Sequence, residues 1–257
     1  MTTYLTAILE HHRARAGADD RDLDDMLAAS KNLVPARPFA AALTATTGVA
    51  VIAEVKRRSP SKGDLNATLD PAALARQYEQ GGATCVSVLT DADHFGGSPE
   101  DLVAARAAIT LPVLRKDFTV DARDVVDARL MGADCVLLIV AALGELELVE
   151  YLDVARTVGL DALVEVHDEP ELELALQAGA TLIGVNQRDL TTFEVDSERA
   201  ARIGAAIPGE VVRVAESDIR GADDARRLAA VGYDAVLVGE TLVTSSDPAG
   251  AVASLRI

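Results

Sequence analysis

The stretch Val49-Ala50-Val51-Ile52-Ala53-Glu54-Val55-Lys56 is apolar until it ends on a carboxylate and an ammonium group. Seven short apolar runs end in this way on a charged, amide or glycine residue, and Arg115-Lys116-Asp117 and Glu165 close two of the others. In a closed barrel of parallel strands, the carboxyl ends of all strands meet at one mouth, where the active site lies. The pattern therefore predicts an enzyme built on such a barrel.

Eight runs rich in valine, isoleucine and leucine predict short strands that are buried on both faces, as in a parallel sheet. The runs cover residues 49–55, 85–89, 112–114, 135–139, 162–166, 182–185, 211–215 and 235–238. Helical periodicity fills the connections, and several of these end in a turn such as Gly82-Ala83-Thr84 or Gly132-Ala133-Asp134. Glycine just past a helix end takes the left-handed conformation easily, so these turns mark a repeated strand–helix unit.

These observations predict an α/β fold, a (β/α)8 TIM barrel. The alternative, a doubly wound open sheet, often carries a Gly-x-Gly-x-x-Gly turn after its first strand, where this chain has Lys56-Arg57-Arg58. We expect one domain over residues 1–257, with the barrel at 48–257 and an N-terminal helical extension at 1–47. The extension is expected to cover one mouth of the barrel, and a separate binding arm is the alternative.

The composition of the chain limits its partners. A formal net charge of −17, from 41 acidic and 24 basic residues, opposes binding to nucleic acid or to an anionic membrane surface. No run approaches the roughly 18 to 20 apolar residues of a membrane span, and the start lacks the pattern of a secretory signal. We expect a cytoplasmic protein, most simply a monomer, in which Cys85 and Cys135 are core residues.

Four strand-end side chains predict acid–base chemistry. Glu54 and Lys56 share one face of their strand because side chains alternate, and they could form a structural ion pair and nothing more. The presence of Lys116 and Glu165 at other strand ends favours a general acid and a general base, because such groups shift one another's pKa values in a confined site. A lysine Schiff base is a further alternative.

Polar residues after the later strands predict a phosphate site. Asn186, Gln187 and Arg188 follow the sixth run, whereas Glu216-Ser217-Asp218 and Gly239-Glu240-Thr241 follow the last two, where barrels commonly bind phosphate. Seven basic residues at three strand ends are expected to draw an anion into the mouth: Lys56, Arg57, Arg58, Lys62, Arg115, Lys116 and Arg188. The spacing of His11, His12, His94 and His167 predicts no metal site.

Several segments resemble the indole-3-glycerol-phosphate synthase family of tryptophan biosynthesis, in order, from about residue 49 to the C-terminus. The extension at 1–47 also resembles the extra helical segment of that family. The segments are 52–61, 111–118, 163–167, 183–186, Phe95-Gly96-Gly97-Ser98, Val214-Ala215-Glu216-Ser217 and Val238-Gly239-Glu240.

The resemblance implies a carbon–carbon lyase without a cofactor. It would close the ring of 1-(2-carboxyphenylamino)-1-deoxyribulose 5-phosphate, with loss of carbon dioxide and water, to indole-3-glycerol phosphate. By analogy Lys116 protonates the carbonyl group and Glu165 accepts a proton during dehydration. Lys56 would hold the substrate carboxylate or act as a second acid, oriented by Glu54. The analogy further assigns Asn186, Glu216 and Ser217 to the polar lining, and Ser59, Arg188, Ser217, Gly239 and Glu240 to phosphate or hydroxyl binding.

The chain departs from the family at Asp218, where glycine is usual. If this position is left-handed, aspartate tolerates it, and we expect the side chain to turn to solvent while its N–H faces the phosphate. The loop at 57–65 either closes over substrate or is an exposed loop without that role. Two rival functions are a sister barrel isomerase, which would carry an Asp–Cys or Asp–Asp pair, and a weakened paralogue that serves as a binding subunit.

Overall fold

Eight parallel strands form a closed barrel in the computed structural model, which describes residues 4–60, 62–189 and 192–257. The first strand pairs with both the second and the eighth, so the barrel has no edge. This closure confirms the predicted fold. The strands are β1 Ala50–Val55, β2 Cys85–Leu89, β3 Val113–Lys116, β4 Cys135–Ile139, β5 Asp161–Val166, β6 Leu182–Asn186, β7 Val212–Glu216 and β8 Ala235–Val238.

Three strands continue farther than their apolar composition predicts. The strands β3, β6 and β7 include Lys116, Asn186 and Glu216, which pair in register with neighbouring strands as Leu89↔Lys116 and Asn186↔Glu216. The backbone ladder extends into the polar end of each strand because parallel pairing depends on the main chain. Apolar content therefore marks only the part of each strand that lies below the mouth.

Alternation along the strands separates two buried layers. In β1, Ala50 and Ile52 face the barrel interior, whereas Val51 and Ala53 pack among the residues that contact the helices. Glu54 continues the inward series by one more step, and Glu165 does the same after Leu163 in β5. The polar side chains at the strand ends are thus the top layer of the barrel interior.

The helices run between the strands, and most begin at an aspartate or serine whose side chain accepts a backbone hydrogen bond, as Asp70, Ser98 and Asp168 do. The predicted turn glycines Gly82, Gly132, Gly179 and Gly232 have φ of 84°, 90°, 81° and 94°. The helices outside the extension are α4 Pro71–Gln80, α5 Ala92–Phe95, α6 Pro99–Ala108, α7 Ala122–Leu130, α8 Glu145–Val158, α9 Glu169–Gln177, α10 Arg199–Gly204, α11 Ala222–Ala230, α12 Glu240–Val243 and α13 Pro248–Leu255.

The N-terminal extension contributes to both ends of the barrel, whereas the sequence predicted that it covers one. Its helices are α1 Tyr4–Gly17, α2 Leu23–Ser30 and α3 Phe39–Thr44. Phe39 of α3 is buried in the interior cluster, and the N–H of Ala40 donates to Asp161 at the start of β5, 2.9 Å away. At the opposite end, the ring of Tyr4 in α1 contacts that of Phe193.

Within the described ranges, every helix is too short or too polar to cross a lipid bilayer. Cys85 and Cys135 are buried and unbonded to each other, as predicted for core residues.

Candidate active site

A cavity of about 450 Å³ opens at the carboxyl ends of the strands. It contains all twelve residues that were predicted to be catalytic or to bind substrate, and these come from six strands and the loops that follow them. Those residues are Glu54, Lys56, Ser59, Lys116, Glu165, Asn186, Arg188, Glu216, Ser217, Asp218, Gly239 and Glu240. The spatial convergence follows from the barrel geometry, because each strand delivers its inward-facing end to the same mouth.

The ammonium group of Lys116 lies between two carboxyl groups of the cavity. Its Nζ lies 3.3 Å from Glu165 Oε2 and 3.6 Å from Glu216 Oε2. A second ammonium group, that of Lys56, forms an ion pair with Glu54. The two lysines therefore have separate carboxylate partners within one cavity.

The buried carboxyl groups have different protonation behaviour. Burial by itself would raise the pKa of Glu165, but the charges of Lys116 and His167 and a hydrogen bond from Asn186 hold it below the usual value. Burial raises the pKa of Glu216 well above the usual value, and the negative charge of Glu165 adds to that effect. At neutral pH the pair thus provides one carboxylate and one carboxylic acid.

Lys116 stays charged in spite of its burial. Desolvation lowers the pKa of its ammonium group, but the surrounding carboxyl groups of Glu165, Glu216 and Glu54 outweigh desolvation and raise the pKa above the usual value. An ammonium group that keeps its proton can donate a hydrogen bond or a proton, and it is a poor nucleophile.

A chain of hydrogen bonds orients Asn186 toward Glu165. The Oδ1 of Asn186 accepts hydrogen bonds from the Ser217 hydroxyl at 2.7 Å and from the Arg188 N–H at 3.0 Å. Because both donors occupy the carbonyl oxygen, the Nδ2 amide faces Glu165 Oε1 and donates to it at 3.0 Å. The guanidinium group of Arg188 is held by the carbonyl oxygen of Phe193 at 3.1 Å.

Two glycines make room for the carboxyl groups. A Cβ atom on Gly184 would collide with Glu216 Oε1, and one on Gly239 would collide with Glu54 Oε1. Any side chain at either position would therefore displace a carboxyl group from the cavity.

The rim of the cavity has features suited to an anion. The hydroxyl of Ser59 is buried and, among the described residues, has no hydrogen-bonding partner. Asp218 has φ of 55°, so the conditional prediction of a left-handed backbone is met. Its carboxylate does not turn simply to solvent, because Arg220 donates to it at 2.7 Å and 3.0 Å. Lys62 forms an ion pair with Glu240 at the same rim.

The predicted cluster of seven basic residues is only partly correct. Lys56, Lys62, Lys116 and Arg188 line the cavity, whereas the three remaining arginines bind elsewhere. Arg115 is at a position of β3 whose side chain points away from the barrel interior, and its guanidinium group donates to Asp117 at 2.9 Å. Arg57 donates to Asp101, and Arg58 donates to backbone oxygens of Ala92 and Asp93.

Sequence reasoning missed the apolar wall of the cavity and one arginine. Phe95, Phe118 and Phe193 line the cavity, although the chain contains only four phenylalanines. With Leu137 and Leu237 they provide a surface for an aromatic ring. The signal for Phe118 was its position directly after Arg115-Lys116-Asp117. Arg220 carried no comparable signal, since it lies in a loop.

The structure also brings together two of the histidines whose spacing in the sequence predicted no metal site. Atoms of His12, Asp91 and His94 lie within 4.8 Å of one another. Both rings lie within hydrogen-bonding distance of Asp91 Oδ2, at 2.9 Å and 3.1 Å, and Arg15 contacts His12 Nδ1 at 3.2 Å. These contacts make a hydrogen-bonded network that attaches α1 to the barrel.

Comparison with known proteins gives one consistent family. The family model described as indole-3-glycerol phosphate synthase matches residues 5–255. The indole-3-glycerol phosphate synthase of Mycobacterium ulcerans is 51% identical over 255 residues, which cover 98% of this chain and 93% of the relative. The indole-3-glycerol phosphate synthase 2 of Streptomyces coelicolor is 52% identical over 243 residues, covering 95% and 93% of the two chains.

Solved structures resemble the fold at low sequence identity. A 3-hexulose-6-phosphate synthase aligns with a TM-score of 0.62 at 14% identity, over 81% of this chain and 98% of the other. A thiamine phosphate pyrophosphorylase from Pyrococcus furiosus aligns with a TM-score of 0.61 at 18% identity, over 80% and 93%. At such identities the likeness concerns the barrel alone.

Proposed function

Because this chain belongs to the indole-3-glycerol phosphate synthase family, we propose that its cavity closes the indole ring of 1-(2-carboxyphenylamino)-1-deoxyribulose 5-phosphate. The reaction releases carbon dioxide and water and serves tryptophan biosynthesis. The observation that carries the assignment of roles is the position of the Lys116 ammonium group between Glu165 and Glu216 in the cavity.

Lys116 is the general acid for ring closure. The attacking aromatic carbon is a weak nucleophile, so the carbonyl group must be polarised by a proton donor as the oxyanion develops. The raised pKa of Lys116 keeps the donor charged at neutral pH. The same charge disfavours a Schiff base, because that chemistry requires a free amine.

Glu165 is the base of the dehydration step. Its lowered pKa keeps it ionised, and Asn186 fixes one of its oxygens while Lys116 contacts the other. Glu216 contributes a mostly protonated carboxyl group, which can donate a hydrogen bond to substrate. Ser217 acts through Asn186, whose orientation it sets.

Lys56 binds the substrate carboxylate, with Glu54 as its orienting partner. The phenylalanine wall receives the aromatic ring beside it, and carboxylate release is favoured when the ring is held out of water. At the rim of the cavity, Ser59, Arg188, Gly239 and Glu240 bind the phosphate and hydroxyl groups, together with Ser217 and the N–H of Asp218. The buried hydroxyl of Ser59, which has no hydrogen-bonding partner in the part of the chain that the structure describes, supports this placement.

We extend the proposal to the setting of the protein. It acts as a cytoplasmic monomer on a small phosphorylated substrate, without a nucleic acid or membrane partner. The net charge of −17 supports the exclusion of polyanions. Sedimentation of the purified protein tests the monomer, and fractionation of cells tests the location.

A fluorescence assay for indole formation tests the function. Lys116→Ala and Glu165→Gln should each lower kcat by about 10²-fold or more, as expected for the loss of a general acid or base. Lys31→Ala, an exposed lysine in the extension, is the matched control and should leave kcat unchanged. Absence of turnover by the unmutated protein would refute the enzyme, and normal turnover by Lys116→Ala would refute the assignment of the acid.

A further inference from the structure

His167 lies between the site carboxylate Glu165 and a carboxylate at the surface. Its Nε2 is 3.4 Å from Glu165 Oε1, and its Nδ1 is 3.1 Å from Glu171 Oε2. The same oxygen of Glu171 accepts the backbone N–H of His167 at 2.7 Å. The side chains of His167 and Glu171 are 10% and 19% exposed, whereas that of Glu165 is 1% exposed. A row of three titratable groups, Glu165, His167 and Glu171, therefore connects the cavity with solvent.

The hydrogen bonds define the tautomer of His167. Because Glu171 is an acceptor, Nδ1 carries a hydrogen and donates it. The Nε2 atom is buried and, within the described part of the chain, has no hydrogen-bonding partner. It faces Glu165 at a distance slightly longer than a hydrogen bond, and a small approach of either group would allow proton transfer.

The proposed reaction consumes a proton from the enzyme. The carbonyl oxygen takes a first proton when the new carbon–carbon bond forms, and the aryl–carboxylate bond then breaks, releasing CO₂ and returning its electron pair to the ring. The resulting hydroxyl group takes a second proton and leaves as water. The adjacent carbon gives one proton back. The enzyme thus loses one proton for every carboxylate that departs as neutral CO₂.

Proton exchange between the residues of the cavity cannot replace the proton that is lost in each turnover. Lys116 and Glu165 are in contact, so they can pass a proton between them, but that exchange leaves the sum unchanged. Substrate in the cavity would also separate these groups from solvent. A third titratable group behind Glu165 can supply the missing proton.

The geometry points to His167, held by Glu171, as the proton store that supplies Glu165 in each turnover. Before water leaves, the Nε2–H bond of the imidazolium breaks, an O–H bond forms on Glu165, and the electron pair stays on Nε2 of the neutral ring. Glu165 passes this proton to Lys116, which has lost its own proton to the carbonyl oxygen and gives the new one to the departing hydroxyl group. Glu165 is then ionised again, accepts the proton of the adjacent carbon and returns it to Lys116. Water then recharges the imidazole between turnovers at the exposed side of the pair. His167 is a positioning and proton-supplying residue, since it reaches substrate only through Glu165, and this role rests on the proposed function of Glu165.

The surroundings of His167 favour the charged ring. Burial would lower its pKa, but the hydrogen bond with Glu171 and the negative charge of Glu165 outweigh burial and raise the pKa above the usual value. Glu165, Glu171 and the guanidinium group of Arg199 are the charged groups that face it, and Arg199 acts in the opposite sense.

Two variants test the store. His167→Asn removes the titrating ring, and Glu171→Gln keeps an acceptor near the ring while removing the charge that favours the imidazolium. Each should lower kcat about tenfold or more, with KM within twofold of the unmutated value. Small acidic buffers such as imidazole should restore the rate of His167→Asn as their concentration rises at constant pH and ionic strength. Glu173→Gln, on the exposed face of the same helix, is the control and should behave as the unmutated protein.

A single-turnover experiment gives an independent readout. With enzyme in excess and a pH indicator in weakly buffered solution, indole fluorescence of the unmutated protein should rise before protons disappear from the medium. In His167→Asn the two signals should coincide, because no store remains. Simultaneous signals in the unmutated protein, or a slow variant that no buffer accelerates, would overturn the proposal. An unmutated protein without indole product would instead refute the proposed function itself.

Discussion

At the scale of single residues, folding strongly alters the pKa of the Glu216 carboxyl group. Burial first, and then the charge of Glu165, raise its pKa to about 8. An unfolded glutamate titrates near 4.3, so between these values the folded protein holds a proton that the unfolded chain has lost. Stability therefore falls as pH rises through this window.

We expect Glu216→Gln to stabilise the protein above pH 8, because the amide needs no proton to stay neutral. The gain in free energy of unfolding should be about 5 kcal/mol at pH 8.5 and only about 1 kcal/mol near pH 5. Urea unfolding of both proteins at these two pH values measures it. A gain of the same size at both pH values would show that the carboxyl group is not the cause. The stabilised variant should also lose activity, since active-site groups commonly oppose stability.

Asp218 places a carboxylate beside the proposed phosphate site, at a position where the family resemblance predicts glycine. Asp218→Gly should lower KM about two- to fivefold, because it removes a repulsive charge that Arg220 only partly neutralises. Asp218→Asn removes the charge but keeps a residue that tolerates the left-handed conformation, so it separates the effect of the charge on KM from the effect of the backbone. Steady-state kinetics with Asp223→Asn as an exposed control provides the test. An unchanged or raised KM in both variants would mean that the carboxylate does not oppose phosphate.

The sequence predicted the strand-end residues of the site well and their partners poorly. Glu54, Lys116 and Glu165 could be found because the barrel forces inward positions at strand ends into one space. Arg115 was wrongly placed in the cavity because the prediction considered its charge and ignored the alternation of side chains along the strand. That alternation points Arg115 away from the barrel interior. Arg220 could not be found, because neither periodicity nor spacing fixes where a loop side chain points.

At the scale of elements, the aspartates that precede β4 and β8 join successive strand–helix units through hydrogen bonds. Asp134 precedes β4, and its carboxylate accepts the N–H of Val113 at 2.9 Å, that of Arg37 at 2.8 Å and the Arg106 guanidinium at 2.9 Å. Asp234 precedes β8 and accepts the N–H of Arg213 at 2.8 Å. The aspartate of a Gly-x-Asp turn thus accepts the N–H of the first or second residue of the preceding strand.

We expect Asp134→Ala to lower the free energy of unfolding by about 3 to 5 kcal/mol. The Asp134 carboxylate is fully buried, and its removal leaves three hydrogen-bond donors without their acceptor. Asp234→Ala is the matched variant. Its carboxylate is half-buried and caps a single backbone donor, so we expect a loss of about 1 kcal/mol. Urea denaturation of the two proteins provides the comparison. Equal losses would contradict the explanation from burial.

At the scale of the whole molecule, the extension and the barrel are connected at both ends. The interior cluster reaches from Phe39 at the start of the strands to Phe118 near the mouth, and it includes Leu5 and Ile8 of α1. The strand pattern of the sequence predicted the barrel because closure depends on local repeats. It could not predict which ends the extension covers, since that depends on contacts between residues more than a hundred positions apart, such as Ala40 with Asp161.

The excess of negative charge gives a prediction for the entire protein. With a net charge of −17, carboxylates across the molecule repel one another at low ionic strength, where the screening length is about 30 Å at 0.01 M salt. At 0.15 M that length falls to about 8 Å, which removes the long-range repulsion but leaves close pairs such as Lys116 with Glu165 almost unaffected. The melting temperature should therefore rise by several degrees between these salt concentrations at pH 7. Calorimetry in sodium chloride measures the change, and a fall in melting temperature would mean that exposed ion pairs outweigh the repulsion of the excess carboxylates.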